Sequence, residues 1–128
     1  MSAERRRVFT GAAWEERFGY ARAVRAGTSI AVSGTVARNE DGSVPEGAYA
    51  QARRALEIIV AALVELGAAT GDVVRTRTYV TDMAFFEEVA RAHAEVFGDV
   101  RPASSLVQVA ALVDPVYLLE IEADAVIG

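Results

Sequence analysis

At 128 residues the chain can bury one core, and residues 1–128 read as a single domain. Its apolar content of 52% excludes a disordered chain, and a formal charge of −5 argues against a dedicated binder of nucleic acid or acidic membranes. There is no Cys, and all 13 basic residues are Arg, which excludes disulfides, thiolate nucleophiles, lysine Schiff bases and zinc sites built from Cys and His. A Ser-His-Asp triad would have to use His93, the only histidine. No apolar run approaches the roughly 18 residues of a membrane span, and the first residues lack the apolar stretch of a secretion signal, so a cytoplasmic protein is expected. Chemistry is left to carboxylates, Arg, Tyr, hydroxyls and backbone groups.

In chain order, residues 5–10 predict a short first strand whose three arginines decorate a sheet edge, where charge blocks unwanted pairing. Residues 11–19, with Trp14 and mixed charge at Glu15, Glu16 and Arg17, read as a loop. Residues 20–25 and 29–37 make a hairpin in which Ile30, Val32 and Gly34 alternate with Ala31, Ser33 and Thr35. Residues 39–43 are a polar connection. Residues 45–66 carry the strongest helical pattern, with Ala52, Leu56, Ile59, Val60, Leu63 and Leu66 on one stripe and Gly67 placed to cap its end.

Residues 73–81 predict a strand with Val74, Thr76, Thr78 and Val80 on one side and Arg75, Arg77 and Tyr79 on the other. Asp82 caps a second helix, residues 83–97, whose stripe is Phe85, Phe86, Val89, Val96 and Phe97. The chain closes on two β-rich runs, 101–112 and 116–128, joined by a short turn at Asp114-Pro115. In the last run Tyr117, Leu119, Ile121, Ala123, Ala125 and Ile127 form an apolar face, and Leu118, Glu120, Glu122, Asp124 and Val126 lie opposite.

The order β-β-β-α-β-α-β-β predicts a two-layer α+β domain, one mixed sheet with both helices on one face. Two helices cannot cover the second face, which would show Arg75, Arg77, Tyr79, Glu120, Glu122 and Asp124. A face of such mixed character predicts a symmetric homo-oligomer whose sheets pack together.

Gly19-Tyr20, Ser33-Gly34-Thr35, Tyr79-Val80-Thr81-Asp82, Arg101-Pro102-Ala103-Ser104-Ser105 and Glu120-Ile121-Glu122-Ala123 occur in the order and spacing of the Rid family, the YjgF-type proteins named for the reactive-intermediate deaminase RidA. The resemblance spans about residues 18–126. It implies a chorismate-mutase-like homotrimer, with three sheets forming a central barrel and ligand clefts between subunits. It also implies hydrolysis of enamine and imine intermediates such as 2-aminoacrylate. In deaminase members an Arg in a Pro-Ala-Arg-Ser pattern grips the substrate carboxylate through a bidentate pair, which a serine cannot reproduce. That Arg falls at Ser104 here, a helix Asn falls near Ala90, and a small Cys falls at Leu106. Tyr20 and Glu120 match the family's loop Tyr and the strand Glu that positions the attacking water. The chain thus resembles a branch without the deaminase Arg, for which the usual 2-aminoacrylate activity is not expected.

Glu120 is the candidate catalytic group, a general base if its cleft is partly dry; an interface salt bridge with Arg75 or Arg77 is its alternative. The candidate substrate-binding residues are Tyr20, Arg22, Ser33, Gly34, Arg101, Ser104 and Leu106. Arg22 is either a relocated carboxylate clamp or a solvated or ion-paired arginine, and Arg101 either a second clamp or a partner of Asp99. Ser104 and Ser105 have no visible base, and His93 reads as a packing histidine. Glu122 and Asp124 read as structural, their side chains being about 6–7 Å apart on a strand. No cofactor or metal is expected. The expected partners are the chain itself, as a homotrimer, and a small carboxylate-bearing ligand, with neither nucleic acid nor membrane. The expected function is binding of such a metabolite between subunits with possible hydrolysis of an imine or enamine; the alternatives are a non-catalytic sensor or interaction trimer and, third, a ribonuclease.

Overall fold

The structure, a computed structural model, describes residues 4–128. Six strands and two main helices follow in the expected order: β1 (Arg5–Val8), β2 (Ala23–Ala26), β3 (Ser29–Thr35), α1 (Ala48–Glu65), β4 (Val73–Val80), α2 (Phe86–Phe97), β5 (Ala103–Gln108) and β6 (Leu119–Val126). They form one mixed sheet in the order β1-β2-β3-β6-β4-β5, with only β4 and β5 parallel. The fold is the expected α+β class. α1 lies across β3 and β6 and packs against α2, so both helices cover one face.

Helix α1 buries Ala52, Ala55, Leu56, Ile59, Ala62 and Leu63, the three-and-four spacing that puts side chains on one stripe. Gly67, at φ 86°, ends it: its N–H donates to Val64 at 3.0 Å and the Ala68 N–H to Leu63 at 2.8 Å, a Schellman closure that favours glycine. Two carbonyls at this end are taken by arginines. Arg6 donates to Glu65 O at 3.1 Å and Arg25 to Leu66 O at 2.7 Å. Arg6 and Arg25 are direct cross-strand partners, a like-charge pairing that would repel without the negative end of the helix dipole between them. The remaining apolar face of the sheet, Leu119, Ile121, Ala123 and Ala125 with Ile30, Val32 and Val80, closes the core against Leu56, Ile59, Val89 and Phe97.

Several sequence expectations are corrected. The two C-terminal strands are not a pair joined by a short turn: β4 lies between β5 and β6, and residues 109–118 carry the chain past it. That crossover is pinned by Gln51, buried on α1, which donates to Pro45 O at 3.1 Å and Val116 O at 2.9 Å and accepts from Leu118 N at 2.9 Å. Residues 11–19 are not all loop, because Glu15–Gly19 forms a wide, π-type turn. Its organiser is buried Glu15, whose carboxylate accepts from Thr10 N and Gly11 N at 3.1 Å and from Thr10 Oγ1 at 2.6 Å. A bulge between Val73 and Arg75 turns Val74 out to solvent, away from Thr76, Thr78 and Val80. A second bulge, between Val32 and Thr35, buries Thr35 and separates Gly34 from the face of Ile30 and Val32. Phe86 is exposed, and Ala92 takes a place in the α2 stripe instead. Asp82 does cap that helical segment, accepting from Ala84 N at 2.8 Å.

Replacing Gln51 by Ala leaves Val116 O and Leu118 N of the crossover, and Pro45 O ahead of α1, without their partner. Chemical denaturation is expected to show a loss of about 2–3 kcal/mol, the scale of unmet buried hydrogen bonds; a loss below about 0.5 kcal/mol would mean that water replaces the amide fully.

Candidate functional site

The second bulge builds the site. Ser33 and Gly34 leave the regular register with β6, and the chain just before β2 ties them down: Ser33 N donates to Arg22 O at 2.9 Å and Ser33 Oγ to Ala21 O at 2.7 Å. Arg22 is only 7% exposed. Its Nη1 donates to Gly34 O at 3.0 Å and Thr35 Oγ1 at 2.8 Å, while Thr35 Oγ1 donates in turn to Ser33 O at 2.7 Å. The Arg22 Nε is buried without a partner among the described residues. Tyr20 lays its ring 5.4 Å from the guanidinium carbon, and Phe18 meets Tyr20 edge-on at 5.9 Å between ring centres.

Glu120 stands over this bulge. A methyl group on Gly34 would lie 2.5 Å from Glu120 Oε2 and 2.8 Å from its Cδ, so the missing side chain is the space the carboxylate occupies. Burial pushes the Glu120 carboxyl above the ordinary carboxylate range; the nearby Arg22 charge pulls it back and Glu122 adds to the rise. No described residue hydrogen-bonds its carboxylate. Within the chain Arg77 does not pair with Glu120. Arg77 instead reaches Glu122 at 3.5 Å and Asp124 at 3.3 Å, and Tyr79 donates to Glu122 Oε1 at 2.6 Å. Glu122 and Asp124 thus form ion pairs within the sheet, and the Tyr79 hydroxyl is pushed up chiefly by its bond to Glu122. A half-buried carboxyl without a pairing cation can hold a proton or orient a water near neutral pH.

Tyr20, Arg22, Ser33, Gly34 and Glu120 are therefore brought together in one chain. Arg101, Ser104 and Leu106 are not. They belong to the edge strand β5 or its approach, two strand spacings or about 10 Å from β6. Ser104 and Leu106 also face the helices rather than the open face: Ser104 pairs with buried Thr76, and Leu106 packs partly against the core. Arg101 is exposed and holds φ at 55°, the one non-glycine residue with positive φ among those described, and no ion pair to Asp99 forms among them. Ala90 is exposed on α2.

One cluster was invisible in sequence. Thr76 Oγ1 lies 2.8 Å from His93 Nε2 and 2.9 Å from Ser104 Oγ, linking β4, α2 and β5. Its members are 17 and 28 residues apart, so no local spacing announces them. Among the described residues no group of three or more His, Cys, Asp or Glu is placed to hold a metal ion. No described helix is long and apolar enough to cross a membrane.

Residues 10–127 match the family described as endoribonuclease L-PSP. The chain is 36% identical over 111 residues to the 2-iminobutanoate/2-iminopropanoate deaminase of Escherichia coli K12, covering 84% of this chain and 86% of that protein. Among solved structures, a Mycobacterium tuberculosis member of the YjgF family superposes with a TM-score of 0.90 at 44% identity, covering 97% of this chain and all of that one. Escherichia coli TdcF, crystallised with bound serine, superposes at 0.83 with 28% identity, over 100% of this chain and 99% of that one.

The raised Glu120 carboxyl gives a signed pH prediction. In the unfolded chain it ionises near pH 4.5, whereas the folded state resists ionisation to higher pH. The protonated form favours folding, so its contribution is full below about pH 4 and falls as pH rises through the folded value. Glu120→Gln is therefore expected to gain stability over the parent above that value and to match it in acid, as read by denaturation at several pH values. Gly34→Ala should displace Glu120 and abolish this difference.

Proposed function

The chain belongs to the YjgF/Rid family, and on that premise we propose that it is a homotrimer binding a small carboxylate-bearing metabolite in clefts between subunits, where it hydrolyses an imine or enamine. The observation that carries the reading is Glu120: half-buried, raised by burial, without a hydrogen-bond partner among the described residues, and set in space that Gly34 leaves open. The open face supports assembly. It bears half-buried Arg77, Tyr79, Glu120, Glu122 and Asp124 beside exposed Val74 and Val126, and the preceding loops expose Phe9, Trp14 and Phe18. Isolated, such a surface would leave large apolar groups in water; paired sheets bury them.

In this reading Glu120 accepts a proton from water as the oxygen adds to the imine carbon. The proton passes to nitrogen to give the carbinolamine; its hydroxyl proton then moves by way of Glu120 to the amine as the C–N bond breaks, and ammonia and a carbonyl compound leave. Arg22, committed to Gly34 and Thr35, positions the bulge and biases the charge of Glu120, while Tyr20 and Ser33 shape the wall. Arg101, Ser104 and Leu106 sit too far from Glu120 in one chain to share its ligand, so they act from the neighbouring subunit's edge strand. The exposed Arg101, whose guanidinium has no partner among the described residues, is the carboxylate contact. Ser104, where the resemblance places the deaminase Arg, makes a 2-aminoacrylate deaminase the less favoured assignment. The same residue favours a second reading, a metabolite-binding trimer without turnover. A ribonuclease finds less support, since the open face carries three carboxylates and the chain a charge of −5.

Glu120→Gln is expected to lower ammonia release from 2-imino acids generated in situ by about 10²–10⁴-fold, with the trimer intact by light scattering. Unchanged turnover would remove Glu120 from the chemistry. A change in ligand affinity alone, with no turnover in the parent, would select the binding-only reading.

A further inference from the structure

Three large aromatic side chains ahead of β2 stand in solvent: Phe9, Trp14 and Phe18, the last at 80% exposure. Trp14 already has a partner, the Arg17 guanidinium 4.4 Å from its ring. Among the described residues Phe18 alone of the three stacks on a member of the Glu120 cluster. Its ring meets Tyr20 edge-on at 5.9 Å, and Tyr20 in turn lies 5.4 Å from the Arg22 guanidinium. The surrounding backbone fixes this placement. Buried Glu15 accepts from Thr10 N and Gly11 N, Tyr20 N donates to Glu15 O at 2.9 Å to close the π-type turn, and Gly19, at φ 94°, makes the left-handed step between the two rings. A ring already held in place loses little freedom when something covers it, and gains the apolar contact.

We propose that Phe18 and Tyr20 form the specificity wall of the Glu120 site, and that its ligand carries an aromatic side chain. This rests on the cleft reading above, in its hydrolytic or its binding-only form, and adds what lies beyond the reacting carbon. Arg22 is near enough to Glu120 for its charge to act on the carboxyl, and Tyr20 lies against Arg22, so the wall begins beside the carboxylate and runs outward to Phe18. Aromatic rings are in contact at about 4.5–7 Å between centres, so a ring one methylene beyond the imine carbon reaches this pair, whereas a methyl stops short of it. A polar side chain gains little there, because Arg22 is 7% exposed and its Nη1 is spent on Gly34 O and Thr35 Oγ1. Phe18 belongs to the turn at the rim of the sheet and not to a strand, so it borders paired sheets without lying between them.

The full-length protein is titrated by calorimetry with pyruvate and with phenylpyruvate, which share the 2-oxo acid and differ by one phenyl ring. Phenylpyruvate is expected to bind at least about tenfold tighter, the scale of apolar discrimination in a pocket. Ammonia release from the corresponding 2-imino acids, generated in situ by an amino-acid oxidase, should follow the same order. Phe18→Ala should bring the ratio of affinities to within about twofold of one, and Phe18→Leu should leave it intermediate. Trp14→Ala alters the same loop at a ring that stacks on Arg17, and should keep the ratio, with every variant the same size by light scattering. A ratio near one in the parent, a ratio unmoved by Phe18→Ala, or an equal fall on Trp14→Ala overturns the wall while the cleft reading stands. A high ratio without turnover removes hydrolysis and keeps the wall. Binding by neither acid overturns both.

Discussion

A guanidinium buried at 7% exposure has to be answered by its surroundings, since an unpaired charge in a protein interior costs several kcal/mol. Arg22 is answered by one backbone carbonyl, that of Gly34, and one side-chain hydroxyl, that of Thr35, both at the place where β3 bulges instead of continuing its ladder to β6. The bulge in turn requires Thr35 to enter the core and Gly34 to leave it. Glu120 then occupies the room over Gly34, close enough to feel the Arg22 charge and buried enough that desolvation outweighs it. Removing Arg22 would leave the Thr35 hydroxyl and the Gly34 carbonyl without their donor, and the geometry over the bulge would lose its reason. The site is thus a consequence of one accommodated charge.

The second constraint is the arithmetic of layers. Two helices cover one face of six strands, and the other face must be made tolerable by its own residues. Arg77 does this by bridging Glu122 and Asp124, and Tyr79 by donating to Glu122, so that in the carboxylate row of β6 Glu120 alone has no ion pair or hydrogen bond among the described residues. Exposed Val74 and Val126 lie on strands of the same sheet, and exposed Phe9, Trp14 and Phe18 near its rim. These surface ion pairs are each worth little on their own. Their effect is selective: they leave one carboxyl free on a surface that assembly would dry.

The element order and the two faces of β6 were legible because they rest on local periods, two for a strand and 3.6 for a helix, repeated long enough to be unmistakable. The helix end at Gly67 and the cap at Asp82 were legible for a similar reason, each being a single residue whose backbone or side-chain chemistry acts within one turn. The bulges were not. A single extra residue flips every later side chain, and Gly34 and Val74 look no different in sequence from residues in register. The crossover at residues 109–118 was misjudged because adjacency in sequence suggested pairing, while β4 offered β6 a longer match. Buried Glu15 and Gln51 were missed for a physical reason as well: their burial is made possible by backbone groups, which every residue carries. The Thr76–His93–Ser104 chain joins three elements and has no sequence signature at all. Of the site, Glu120, Tyr20, Arg22, Ser33 and Gly34 were named from sequence, but their common cause, the bulge, was not.

The central claim is that Glu120 of one subunit and the β5 edge of another face the same ligand. A crystal structure of the assembled protein with pyruvate tests it most directly. The ligand is expected between two subunits, with its carbonyl carbon within water's reach of Glu120 and its carboxylate held from the neighbouring edge strand by Arg101 and Ser104. A monomer, or pyruvate bound wholly within one chain away from Glu120, would contradict it.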